Sequence, residues 1–153
     1  MTNEPAATSP YAPFRPRMTR IVGRAIAAVL VLGGIALLYA SPGAEGPWYD
    51  PLNTAAMVAL VALSVLLVLR HATVFALVDP QGIRVRNLVR TTTLSWDRIE
   101  GVRFGAGEPW VTLDLVDGRT LAVMAIQSAD GAYAHRESQR LAALVIAGGG
   151  GVR

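Results

Sequence analysis

Two long apolar runs, separated by a short turn-forming stretch, constrain this chain more than anything else in it. The first covers residues 21–40 (IVGRAIAAVLVLGGIALLYA) and is interrupted by charge only at Arg24. The second covers residues 52–69 (LNTAAMVALVALSVLLVL) and carries no charge. At a helical rise of 1.5 Å per residue, about 18–20 residues reach about 27–30 Å, the thickness of a bilayer's hydrocarbon core. Arg24 falls within one turn of the run's start, where its side chain can snorkel to the headgroups. Buried helices of a soluble bundle would keep a polar stripe for water, and neither run has one. The reading is a transmembrane hairpin over residues 20–70. Its connection, SPGAEGPWYDP (41–51), holds three Pro and two Gly and turns outside the hydrocarbon. Trp48 and Tyr49 adjoin the second span, where amphipathic rings favour the interface. Gly33-Gly34 offers a place for the two helices to approach closely.

Charge sets the orientation. Arg15, Arg17, Arg20 and Arg24 precede or open the first span, Arg70, Arg84, Arg86 and Arg90 follow the second, and the connection has no basic residue. The positive-inside rule then places both termini in the cytoplasm, with the chain in the inner (plasma) membrane as a multi-pass protein. The competing reading, a cleaved signal peptide, fits poorly. The lead before the apolar run is long and proline-rich, and the run exceeds the usual 7–15 residues. Residues 1–19 hold four prolines without apolar periodicity and read as a flexible tail.

Composition removes several classes of function. Apolar residues make up 52% of the 153 and charged residues 16%, which excludes disorder over most of the length. Cysteine is absent, so there is no disulfide, thiolate metal site or cysteine nucleophile. All 14 basic residues are arginine, which excludes lysine Schiff-base chemistry and a phosphate-loop lysine. Residues 71–153 set nine Arg against eight acids, too near neutrality for a nucleic-acid groove, so no nucleic-acid partner is expected.

After Arg70 the apolar runs shorten and alternate. TVFALV (73–78), IRVR (83–86), TTTLSW (91–96), GVRF (101–104), WVTLDLV (110–116) and RTLAVMAI (119–126) read as six short strands. Asp117-Gly118 is the strongest hairpin signal among them. Ile83 and Val85 face inward between the outward Arg84 and Arg86, and Val111, Leu113 and Leu115 share a face, as do Leu121 and Val123. Residues 129–147 take helical spacing, with Tyr133, Leu141, Leu144 and Val145 forming the apolar stripe. Ser128 or Asp130 can cap the start and Gly148–Gly151 ends it. A bent antiparallel sheet of this size leaves an open end that a terminal helix can cover. Trp96 is large enough to plug a small barrel, the Asp97 carboxylate can bond backbone N–H groups of the turn it opens, and Ile99 and Val102 point back into the core.

These residues carry a resemblance. Gly82-Ile83-Arg84-Val85-Arg86, then Trp96-Asp97-Arg98-Ile99-Glu100-Gly101-Val102, then the Asp117-Gly118 hairpin and a helix, resemble the bacterial PH-like domain family. The similarity is greatest to its actinobacterial membrane-anchored branch, the low-molecular-weight protein antigen 6 type. It covers about residues 71–146, and the two-span anchor before them also matches. The resemblance implies an α+β chain, with a transmembrane hairpin followed by a PH-like split β-barrel of about six to seven short strands and a C-terminal helix. The expected organisation is a disordered tail (1–19), the hairpin (20–70), the PH-like domain (71–147) and a flexible tail (148–153). The motif is structural and says little about activity.

Candidate chemistry is sparse. His71 and His135 are isolated and give no zinc spacing. Asp114 and Asp117 fall on a strand and its turn, without the ligand alternation of a calcium loop. Gly105-Ala106-Gly107 lacks the third glycine and the helix of a dinucleotide loop. No serine sits in a nucleophile elbow. No catalytic, cofactor or metal site is expected, and the chain reads as no enzyme. The remaining set is arginine: Arg84, Arg86 and Arg90 on or beside one strand, with Arg98 and Arg103 extending the same side, as contacts for anionic lipid headgroups or a partner. The alternative is an ordinary polar strand face that satisfies only the positive-inside bias. The expected function is a membrane-anchored docking module, bound to the bilayer by two spans and to a membrane-protein partner or the membrane surface by its head. The other reading is an accessory subunit of a larger complex, acting through its helices.

Overall fold

The computed structural model describes residues 9–39 and 50–151. The chain divides into two compact units, residues 18–73 and a head made of the segment before residue 18 together with the chain from Val74 onward. Trp48, Tyr49 and nearly all of the proline-rich connection lie outside the described residues.

The first unit is a helix pair, α1 (Met18–Tyr39) and α2 (Pro51–Ala72). Both are 22 residues long with mean hydropathy 2.4 over their most apolar stretch, long and apolar enough to cross a membrane. Their large side chains point outward: Val29, Leu32, Leu60 and Leu66 are each at least 60% exposed, unlike the core helices of a soluble bundle. Asp50 caps α2 by accepting the Leu52 N–H at 2.9 Å, and Pro51 occupies the first turn, where no N–H is missed. The helices approach closely at small residues. A methyl group on Gly34 would stand 3.3 Å from a Val61 methyl, and one on Gly23 would stand 3.2 Å from the Ala72 Cβ. Gly33 faces open space.

The head holds two antiparallel three-stranded meanders. The first is β1 (Phe75–Asp79), β2 (Gly82–Arg86) and β3 (Thr91–Ser95); the second is β4 (Ile99–Arg103), β5 (Trp110–Leu115) and β6 (Thr120–Gln127). A one-turn 3₁₀ segment, Trp96–Arg98, joins the sheets, and another, Ser128–Asp130, leads into α3 (Ala132–Ala147). This is the PH-like arrangement implied by the resemblance, with six strands. The alternation expected of β2 and β5 is present: Ile83, Val85, Val111, Leu113 and Leu115 are buried, while Arg84 and Arg86 are exposed. Both sheets and α3 contribute to one core, in which Ile83, Ile99, Leu113, Val123 and Leu141 are completely inaccessible. The Asp117-Gly118 turn uses positive φ only at Gly118 (78°), and the Leu115 N–H donates to the Arg119 carbonyl at 2.9 Å.

Three local expectations meet a different arrangement. Helix α3 starts at Gly131 (φ 55°) without a side-chain cap. Ser128 donates to the Pro109 carbonyl, and the Asp130 carboxylate accepts the Arg17 N–H at 3.0 Å. In Gly148–Gly151, read as a flexible tail, Gly150 is buried while Gly148, Gly149 and Gly151 are exposed. Any side chain at Gly148 would collide with the Trp96 ring, and the Gly151 N–H donates to the Ile99 carbonyl at 3.0 Å. Residues 9–17 likewise do not hang free. Phe14 is 0% exposed within the head core and forms a β-bridge with Ala76. Proline content excludes a helix there, yet it suits an extended strand whose aromatic residue fills a socket. Residues 1–8 and 152–153 lie outside the described residues.

Candidate functional site

The five arginines singled out from sequence separate into two groups. Arg84 and Arg86 project from the outer face of β2, opposite Leu77 and Phe75 of β1 and Thr93 and Thr91 of β3. Strand alternation fixes this, because burying Ile83 and Val85 turns their neighbours out. The Arg86 guanidinium lies 5.6 Å from the centre of the Phe75 ring. Arg90 is exposed at the end of the β2–β3 connection, beside Val89, which is 78% exposed. Among the described residues none of these three is ion-paired. The nearest acid along β1, Asp79, is occupied in the β1–β2 turn, where its carboxylate accepts the Gln81 and Gly82 N–H groups at 2.8 and 2.9 Å.

Arg98 and Arg103 do not extend that face. Arg98 lies in the turn between the sheets and contacts Asp117 at 3.3 Å. Arg103 ends β4, with its Nε donating to Asp114 at 2.7 Å and its Nη1 3.7 Å from Glu108. The hydrogen bond to Asp114, and then its charge, raise the Arg103 pKa. Asp117 also accepts two side-chain bonds and a backbone bond from Arg119. These bonds lower the Asp117 carboxyl from 3.8 to about 2 and raise the Arg119 pKa in turn. Alternation along β4 and β5 brings Arg103 and Asp114 together on neighbouring strands.

The motif residues serve the joint between the sheets. Trp96 is 3% exposed and its indole N–H donates to the Asp79 carbonyl at 3.1 Å, tying the β1–β2 turn to the β3–β4 junction. Asp97 is exposed, and the turn closes through the Ile99 N–H onto the Trp96 carbonyl. Ile99 is fully buried and Val102 is half-buried against the core. Residues 76–143 match the bacterial PH domain. The chain is similar to that family over this segment, which runs from β1 into α3. The chain is also similar to low molecular weight protein antigen 6 of Mycobacterium bovis and of two strains of Mycobacterium tuberculosis. In each case 34% of 76 residues are identical, covering 50% of this chain and 63% of the relative. The chain therefore spans less than two thirds of the length of these curated relatives. No solved structure matches it.

Sequence reasoning missed one residue that shapes this head. Asn87, just past β2, donates to the Ala122 carbonyl at 2.7 Å and accepts the Met124 N–H at 3.2 Å. It thereby bridges the first sheet to β6, where the β5–β6 register breaks between Val123 and Gln127. An amide is the side chain suited to pairing with one donor and one acceptor at once. Its only sequence signal was a polar residue ending an alternating strand. Among the described residues no three His, Asp or Glu side chains gather as a metal site. His135 lies beside Phe104, ring centres 5.1 Å apart.

Proposed function

We propose that the chain is a non-enzymatic membrane protein whose two helices anchor a PH domain on the cytoplasmic side. The unpaired arginine face of β2 docks that domain on anionic lipid headgroups or on an acidic partner. The carrying observation is the contrast in arginine pairing. Arg84, Arg86 and Arg90 keep their charge available, while Arg98, Arg103 and Arg119 are engaged by Asp117, Asp114 and Glu108. Chain length supports a membrane location for this face. Phe75, the cross-strand partner of Arg86, lies three residues beyond the end of α2, and three residues of chain reach at most about 11 Å. Electrostatic attraction to an anionic leaflet acts over about a Debye length, about 8 Å at physiological salt, and contributes about 1 kcal/mol per arginine. The joining of residues 9–17 with residues 74–151 in one head supports a common side for both flanks of the hairpin. The mycobacterial relatives support the actinobacterial membrane-anchored branch.

The second reading, an accessory subunit acting through its helices, rests on an apolar groove of about 270 Å³ along the hairpin, lined by Val31, Gly34, Leu38, Met57, Val61 and Val65. Replacing Arg84, Arg86 and Arg90 together by Gln, and assaying a deletion strain for complementation, separates the two. Loss of complementation with unchanged membrane insertion supports docking, and full complementation supports the subunit reading. Reporters fused at Glu45 and after Ala147 test the topology: opposite sides are expected, and the same side overturns it.

A further inference from the structure

The segment before α1 is held by contacts that read a peptide rather than merely cover it. At its centre Phe14 fills a fully closed socket in the head core, with Pro16 also buried. The Phe14 N–H donates to the Ala76 carbonyl at 2.9 Å, and the Ala76 N–H returns to the Phe14 carbonyl at 3.0 Å. Strand β1 ends its sheet, so it has an edge free to accept an added strand. From α3, Arg140 donates through Nη1 to the carbonyls of Pro10 and Ala12, both at 2.8 Å, and its guanidinium lies 3.7 Å from the centre of the Phe14 ring. Glu137 holds the other arm of Arg140 at 2.6 Å and so fixes the fork that reads those carbonyls. At the far end the Asp130 carboxylate accepts the Arg17 N–H at 3.0 Å, and the Arg17 guanidinium stacks 3.9 Å from the Tyr133 ring centre.

We propose that the β1 edge and α3 of the head form a peptide-binding groove for an extended, proline-flanked aromatic segment, and that its resident ligand is this chain's own residues 9–17. The occupant is specified by the contacts. One aromatic anchor enters an apolar socket, four backbone groups are paired by Ala76 and Arg140, and a basic residue is set over Tyr133. Proline at positions 10, 13 and 16 removes N–H groups that would otherwise need partners and lowers the cost of ordering the segment. Tethered in cis, the segment keeps the groove closed to competitors through its high effective concentration. The groove does not depend on the arginine face of β2.

The test uses the full chain in lipid nanodiscs and a fluorescent peptide of sequence SPYAPFRPR. The Phe14→Ala chain, with its socket emptied, is expected to bind the peptide saturably, whereas the unaltered chain does not. Peptide carrying Ala in place of Phe, or a chain that adds Arg140→Ala, is expected to bind at least about tenfold more weakly. A Phe14→Ala chain that keeps its near-ultraviolet Trp96 signal yet binds no peptide overturns the proposal, as does equal binding by the unaltered chain. If Phe14→Ala unfolds the head, a chain with a protease site inserted between Arg17 and Met18 decides. After cleavage the segment is expected to stay bound and to exchange with labelled peptide. Immediate loss of the segment, or no exchange over a day, contradicts a binding groove.

Discussion

The two sheets of the head carry the same basic residue on opposite terms. Around β4–β6, Arg98, Arg103 and Arg119 are matched by Asp117, Asp114 and Glu108, and the charge is spent within the domain. On β1–β3, Arg84 and Arg86 stand among Leu77, Thr91 and Thr93, with Arg90 beside the exposed Val89. A paired surface arginine adds at most about 1 kcal/mol to the fold, and it offers a ligand little uncompensated charge. One without an acidic partner keeps its charge available for an anion. The bare count of arginines cannot separate these cases; the register of the strands does.

Substitutions test how far the two faces are independent. The largest effect belongs to the joint that both sheets need. Trp96→Ala removes the ring that Gly148 packs against and the bond to Asp79, and is expected to destabilise the head by about 3–5 kcal/mol in denaturant unfolding. Arg84→Gln with Arg86→Gln is expected to leave stability within about 0.5 kcal/mol. The same pair is expected to weaken head binding to an anionic surface by about 2 kcal/mol, about thirtyfold, read as the salt needed to release the head from anionic nanodiscs. Arg103→Ala is expected to do the reverse, lowering the unfolding midpoint slightly and leaving that salt dependence unchanged. The smallest effect is at Asp117. Its folded pKa of about 2 lies below the ordinary 3.8, so its stabilising contribution is present above about pH 4 and is lost as pH falls towards 2. The difference in unfolding midpoint between Asp117→Asn and the unaltered chain is therefore expected at pH 7, should shrink below about pH 4 and should vanish only below about pH 2.

Much of this architecture is legible in the residues, because period-two alternation and long uncharged runs are local patterns. The burial of Ile83, Val85, Val111, Leu113 and Leu115 follows from alternation alone. What the sequence conceals is pairing between distant residues. Arg98 and Arg103 look continuous with Arg84 and Arg86 until the chain turns at Trp96–Arg98 and carries them to acids of the second sheet. Phe14 is hidden in the same way. Its prolines and arginines argue for a free tail, and its partners Ala76 and Arg140 lie more than 60 and 120 residues away. Asn87 shows nothing locally of its bridge to β6.

Hydrogen exchange of the full chain in nanodiscs, comparing neutral with anionic lipid, decides whether the β2 face meets the membrane. Residues 82–93 are expected to exchange more slowly on anionic lipid, while residues 98–119 stay unchanged. Equal protection of both stretches, or none in either, would contradict an arginine face on β2 that docks the head.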